Sequence, residues 1–226
     1  MTKTGKYDIA TNNLREYSPL DSIIFKKNNE KFGDLSNMSM KFPLEINNIG
    51  VLNTEALYQS CRFPHLIALQ KKIISERSPM KVKMISNANK NESRNDWEEV
   101  KLKVMKWCLN IKLAQNFISF GSVLDATKDF NIVENSSKDN YWGAIPNEDQ
   151  SFYIGQNALG RLLMQIREQY RSSNKYSLLI VEKPKIENFI FYGMPISQID
   201  CRTKFAEDLK HYFDNQQLNF FNSSAL

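Results

Sequence analysis

The chain has 226 residues, with 30 basic against 25 acidic side chains, 42% hydrophobic content and 12% aromatic content. Such a chain buries a substantial core as one domain, which excludes disorder as its main state, and the net charge of +5 permits a phosphate-bearing partner without demanding one. No stretch approaches the roughly 18 consecutive apolar residues that span a bilayer, and the opening MTKTGKYDIATNNLREY lacks the apolar block of a secretory signal. No membrane partner and a cytosolic location are therefore expected.

Cys61, Cys108 and Cys201 are scattered without metal-ligand spacing, so they read as reduced thiols, the first two buried. His65 and His211 are too few and too far apart for a metal cage or a histidine-based triad. These residues indicate no metal site.

Residues 1–20 are polar and weakly patterned, an expected flexible arm. SIIF (22–25) reads as a strand, and FGDLSNMS (32–39) as a turn-rich loop in which Ser36 and Asn37 are candidates for a pocket wall. FPLEINNIGVLN alternates apolar and polar residues around Asn-Asn-Ile-Gly, the pattern of a hairpin. Thr54 is then a candidate N-cap for a helix, with Glu55 at its positive end. Glu55, Tyr58, Gln59 and Arg62 fall at i, i+3, i+4 and i+7 and share one face, either a solvated polar face or the wall of a site.

Pro64 is expected to open the next helix, and Ser78 with Pro79 a third. Lys81 and Lys83 then lie in or just past the first turn, where an ammonium is electrostatically disfavoured and an amine becomes a better nucleophile. The pairs Lys26-Lys27 and Lys71-Lys72 are either phosphate contacts or solvated surface. KNESRNDWEEV closes on Asp96, with Glu99 three residues on as in a capping box. Val100, Val104, Trp107, Ile111, Ala114 and Ile118 continue as the buried stripe of one long helix, whose Gln115-Asn116 end braces or lines a pocket.

VENSSKDNYWGAIPNED (133–149) is too rich in Asn, Ser, Asp and Gly for regular structure, yet it carries Tyr141 and Trp142. Large aromatics there either anchor the loop or offer a stacking face, as Trp97 does at the edge of the 90–100 loop. IGQNALGRLLMQIREQY (154–170) has helical spacing, and Gly155 and Gly160 allow close backbone approach. YSLLIVEK (176–183) and FIFY (189–192) read as strands before a polar tail.

FGDLSNMSMKFPLEI, TEALYQSCRF, SPMKVK, RNDW, LAQN, SKDNYWG and GQNALGRLL follow one another from about 32 to 168. Together they closely resemble the NADAR family, the YbiA-like N-glycosidases, over well over half the chain. The resemblance implies an α+β, mainly helical single domain over 21–171 with no metal and no redox cofactor; the strand pair and polar tail of 172–226 are expected as an extension packed on it. It also implies cleavage of an N-glycosidic bond between a ribose carbon and a nitrogen. One branch hydrolyses phosphorylated ribosylaminopyrimidines of riboflavin synthesis. The other, which the wording here is more similar to, removes ADP-ribose from guanine in DNA as antitoxin to an ADP-ribosyltransferase. The implied partners are ADP-ribosylated DNA or ADP-ribose and a cognate toxin; a non-catalytic ADP-ribose-binding module is the remaining alternative.

Carried over by position, Glu55, Lys83 and Asp139 are the expected catalytic residues, with Lys83 favoured over Lys81 as the amine that forms a Schiff base. Trp97 and Trp142 are the expected stacking residues, and Ser36, Asn37, Gln59 and Asn157 the expected polar substrate contacts. The chain departs from the family at Ala56, where His is common, at Val82, where Ala is usual, and at Met84–Asn87, where Gly-Arg follows the lysine. Those departures touch the phosphate contacts, for which Arg62 and Arg94 are the expected substitutes.

Overall fold

The computed structural model describes residues 13–223. In chain order the elements are β1 (Arg15–Tyr17), β2 (Ser22–Phe25), β3 (Leu44–Ile46), β4 (Ile49–Val51), α1 (Thr54–Cys61), α2 (Ile67–Ser75), α3 (Pro79–Ala88), α4 (Trp97–Gln115) and α5 (Phe117–Ala126). They continue as β5 (Asn131–Glu134), β6 (Ile145–Pro146), β7 (Tyr153–Gly155), α6 (Ala158–Arg171), β8 (Ile180–Val181), β9 (Ile190–Phe191), β10 (Met194–Pro195), β11 (Ile199–Asp200) and α7 (Arg202–Ser223). This is the α+β, mainly helical arrangement with short strands that the sequence implies.

Helix α4 is the axis of the core, with α1, α5 and α6 against it. Val100, Val104, Trp107, Ile111 and Ala114 are buried as their spacing requires. The expected single long helix ends at Gln115, however: Asn116 leaves helical geometry at φ −129° and a new helix starts at Phe117, so Ile118 belongs to α5. The amide of Gln115 donates to the Glu45 carbonyl and accepts from the Glu45 N–H, both at 2.7 Å. This end therefore braces the β3–β4 hairpin. The hairpin itself turns on Asn47 and Asn48, both at positive φ (51° and 61°), the conformation Asn tolerates best after Gly.

One turn earlier Lys112 is wholly buried, and its Nζ donates to the carbonyls of Asp34 and Ser36 at 3.0 Å each. The ammonium also sits over the rings of Phe120 and Phe42, at 4.2 and 5.0 Å from their centroids. Burial pulls its pKa down to about 7, opposed by the nearby Asp34.

Several expectations shift by a residue or a turn. The cap of α1 is Asn53, whose side chain accepts from the Ala56 N–H at 2.9 Å, and Thr54 is already helical. Helix α2 starts three residues after Pro64, whereas Ser78 and Pro79 open α3 as expected, Ser78 accepting from the Lys81 N–H. Asp96 precedes α4 without capping it, because its carboxylate is held by Arg94. Of the expected arm, residues 1–12 lie outside the described residues, while Arg15–Tyr17 pairs antiparallel with β7 and Tyr17 is buried. In the extension, β8 pairs with β11 and β9 with β10, and the polar tail carries α7. Cys61, Cys108 and Cys201 are buried free thiols, and His65 and His211 are exposed.

The element that delivers the site is β5. It pairs in parallel with β2, Phe25 opposite Glu134, and α6 lies directly on it. Asn157, in left-handed geometry at φ 49°, precedes α6; its side chain accepts from the Glu134 N–H at 3.1 Å and donates to the Ile132 carbonyl at 2.7 Å. A Cβ on Gly160 would lie 2.0 Å from that same carbonyl oxygen, so only glycine lets α6 come this close. Gly160→Ala is expected to cost about 1–3 kcal/mol in a urea denaturation series. Gly50→Ala, where an added Cβ meets nothing within 4 Å, should stay within about 0.5 kcal/mol of the parent.

Candidate active site

The face of α1 predicted from spacing is a cleft wall. Glu55, Tyr58, Gln59 and Arg62 all line one cleft of about 440 Å³, together with Ser36, Asn37, Lys83, Trp97, Asp139 and Trp142. That volume lies in the range of small-molecule sites. Leu57 and Cys61, on the other side of the helix, are core.

Asn53 caps α1 and so places Glu55 in its first turn, where the exposed N–H groups favour a carboxylate. The Glu55 N–H donates to the Asn37 carbonyl at 2.9 Å, which ties the helix start to the 32–39 loop. The carboxylate is only 7% exposed and accepts from Gln59 Nε2 at 2.8 Å. Burial pushes its pKa up; the Gln59 hydrogen bond and the Lys83 charge pull the other way. Tyr58 is buried beside it, and burial with the neighbouring Glu55 charge keeps its phenol protonated far above the usual range.

Helix α3 supplies the lysine. Both Lys81 and Lys83 are exposed, but Lys83 lines the cleft near Asn87 and Met80, at i+4 and i−3, while Lys81 lies outside the lining. The two lysines that sequence leaves open are thus separated by helical geometry.

The 135–144 segment is a tight loop closed by a parallel bridge between Asn135 and Ala144. Asp139 Oδ1 accepts from the N–H groups of Tyr141 and Trp142, at 3.0 and 2.9 Å, so this carboxylate both faces the cleft and fixes the loop. Trp142 is half-buried and stands edge-on to Tyr58 at 5.6 Å; Trp97, only 6% exposed, tilts against the same Tyr58 at 5.1 Å. The tryptophans therefore form an aromatic corner, Trp97 mostly core and Trp142 more open. Arg62 lies over Trp97 at 5.6 Å and donates from Nε to Ser93 at 2.6 Å. Lys26 and Lys101 also line the cleft, Lys101 in an ion pair with Glu98 of the same lining.

Two expected contacts stand elsewhere. Arg94 is buried against Asp96 and the Glu187 carbonyl, at 3.0 and 2.7 Å from Nη2, in a separate depression with His65. An arginine three residues before the tryptophan thus serves the 184–190 segment. Asn157 is fully buried under β5 and acts one step back, by holding the strand that ends in Glu134.

Glu134 is the residue that sequence reasoning missed. It lines the cleft at the end of β5, and burial raises its pKa to about 7, assisted by the charges of Glu55 and Asp139 and opposed by Lys83. The only signal in the sequence was its place just ahead of the NSSKDNYWG loop.

The NADAR domain profile matches residues 24–171. This chain belongs to the NADAR family. It is 31% identical to the N-glycosidase YbiA of Escherichia coli over 154 residues, covering 66% of this chain and 89% of that protein. It is 29% identical to the riboflavin biosynthesis protein VVA0006 of Vibrio vulnificus over 175 residues, but spans only 44% of that longer protein. The NMR structure of Escherichia coli YbiA superposes with a TM-score of 0.56 at 29% identity, covering 66% of this chain and 84% of that one. The matched NADAR region carries every cleft residue named above.

The carboxyl cluster has a consequence for stability. Glu134 is raised above its unfolded value, so its favourable contribution is complete below about 4.5 and is lost as pH rises through about 7. Glu134→Gln is therefore expected to be neutral in melting temperature at pH 5 and stabilising at pH 8. Thermal melts of the two proteins across that interval check the sign.

Proposed function

We propose that the chain is an N-glycosidase that releases ADP-ribose from modified guanine in DNA. The observation that carries the hydrolytic part is the convergence of Lys83 with the carboxyl groups of Glu55, Glu134 and Asp139 on a cleft walled by Trp97, Tyr58 and Trp142. Breaking a ribosyl C1–N bond requires a proton for the departing nitrogen and compensation for positive charge at C1. Glu134, its pKa raised to about 7 chiefly by burial, suits the first task, and an ionised carboxylate beside C1 suits the second.

Lys83 suits a covalent route. Its amine adds to C1 of the ring-opened sugar, where the base nitrogen is attached as an iminium. The base then leaves with a proton, a lysine–C1 iminium remains, and water releases the sugar aldehyde and restores the amine. The Glu55 carboxylate, held by Gln59, offsets the positive charge carried through these steps.

ADP-ribose as the sugar is supported by the cations Lys26 and Arg62 around the cleft in addition to Lys83, Lys101 being paired with Glu98, and by two tryptophans rather than one. A diphosphate and an adenine require more than one anchoring point. The family motifs of this chain also resemble the DNA-acting branch, in which the protein counteracts a guanine-specific ADP-ribosyltransferase. The second reading, hydrolysis of a phosphorylated ribosylaminopyrimidine, is favoured by the name of the Vibrio relative.

Incubation with ADP-ribosylated duplex or single-stranded DNA and, side by side, with the ribosylaminopyrimidine phosphate separates the two. Release of free ADP-ribose is the expected result; turnover of the pyrimidine alone would replace this reading with the second. Lys83→Ala is expected to lose at least about a hundredfold in rate, the scale of a removed catalytic group, while Lys81→Ala keeps the parent rate. Equal rates in the two variants would contradict the assignment.

A further inference from the structure

We infer that Glu134 is the general acid of this cleft, the group that hands its proton to the departing nitrogen, while Glu55 remains the charge-compensating carboxylate. The inference rests on the N-glycosidase reading above and assigns a residue to a step that the family motifs leave open.

Three geometric facts separate the two glutamates. First, they reach the cleft from different elements: Glu55 from the first turn of α1, whose N–H groups favour its ionised form, and Glu134 from the end of a parallel strand, which offers no such stabilisation. Second, Glu55 is already occupied by Gln59 Nε2, whereas the hydrogen bonds of Glu134 are made by its backbone: its N–H donates to Asn157 Oδ1 and its carbonyl accepts from the Ala144 N–H at 2.8 Å. The strand end is thus fixed by main-chain bonds on both sides, and the side chain is presented to the cleft. Third, a Cβ on Gly143 would lie 2.5 Å from the Glu134 carbonyl oxygen and one on Gly160 2.0 Å from the Ile132 carbonyl, so the strand is pressed between two glycine-lined backbones. So much close packing around a surface-reaching strand end is what a positioned proton donor needs.

The groups facing Glu134 are Glu55 from α1, Lys83 from α3, Asp139 from the following loop and Lys26 just beyond β2. Burial, with two carboxylates against one close amine, leaves it a proton near neutral pH, its pKa raised to about 7. The step balances without another reactant. The C1–N bond breaks as the Glu134 proton passes to nitrogen; the carboxylate then takes a proton from the water that attacks C1, and the acid is regenerated as the sugar leaves.

The test is the pH dependence of kcat/KM for ADP-ribose release from modified DNA, and for base release from the ribosylaminopyrimidine phosphate, by the full chain and by Glu134→Gln. The expected wild-type profile falls above pH 7, and Glu134→Gln loses about a hundredfold or more while its residual activity no longer shows that fall. A variant within about threefold of wild type, or one whose residual activity keeps the wild-type alkaline limb, overturns the role of Glu134 and leaves the glycosidase reading standing. The wild-type profile is independent of how the variant folds: without a fall centred near 7 the role is lost. A wild-type chain inactive on both substrates overturns the reading itself and the assignment with it.

Discussion

One buried ammonium holds this site together. Lys112 extends from the middle of the core to the carbonyls of Asp34 and Ser36 and so fastens the 32–39 loop to α4. From that loop the Asn37 carbonyl accepts the Glu55 N–H, which sets the start of α1 and the carboxylate that α1 carries. A charge at this depth costs several kcal/mol in lost hydration, and the structure offsets that with two carbonyl dipoles and the faces of Phe42 and Phe120. The lowered pKa of Lys112 is the residue of that imbalance. Helix α4 thus serves two walls at once: Lys112 supports the loop with Ser36 and Asn37, Gln115 the hairpin that leads into α1.

The cleft follows a second constraint, that like charges brought together under burial cannot all ionise. Glu55, Glu134 and Asp139 line one cleft with Lys83; burial raises the pKa of both glutamates, and the charges of Glu55 and Asp139 raise that of Glu134 further, while Asp139 Oδ1 accepts from the N–H groups of its own loop. Carboxyl groups in unlike environments are how one fold holds an acid and a base together near neutral pH. Asn157 and Gly160 act further back, by fixing β5 under α6, so residues that never reach the cleft decide where Glu134 stands.

What the sequence made legible was local. The Asn47-Asn48 turn, the Ser78-Pro79 start and the spacing of Glu55, Tyr58, Gln59 and Arg62 depend on residues within a few positions of one another, and each matches the structure. Where two short polar residues competed, the choice depended on contacts made later in the chain: Asn53 rather than Thr54 caps α1, and Asp96 pairs with Arg94 rather than capping α4. Arg94 looked available for phosphate because its partner carbonyl, that of Glu187, is 93 residues away. Nothing near Lys112 in sequence announces Asp34 and Ser36. Glu134 was hidden for the same reason, since its neighbours in the cleft come from α1 and α3. The extension shows the limit of composition, for the tail that reads as polar carries α7, where Phe205, Leu209 and Phe213 recur at helical spacing and Phe205 packs against the core.

The central claim is that one cleft, bounded by the 32–39 loop, α1, α3 and the 135–144 loop, receives the ADP-ribose group. Hydrogen–deuterium exchange with and without ADP-ribose measures it directly. The account predicts slower exchange in residues 34–38, 54–62, 79–87 and 134–142 and unchanged exchange around Arg94 and the 184–190 segment. Protection confined to that second region, or no protection anywhere at saturating ADP-ribose, would contradict it.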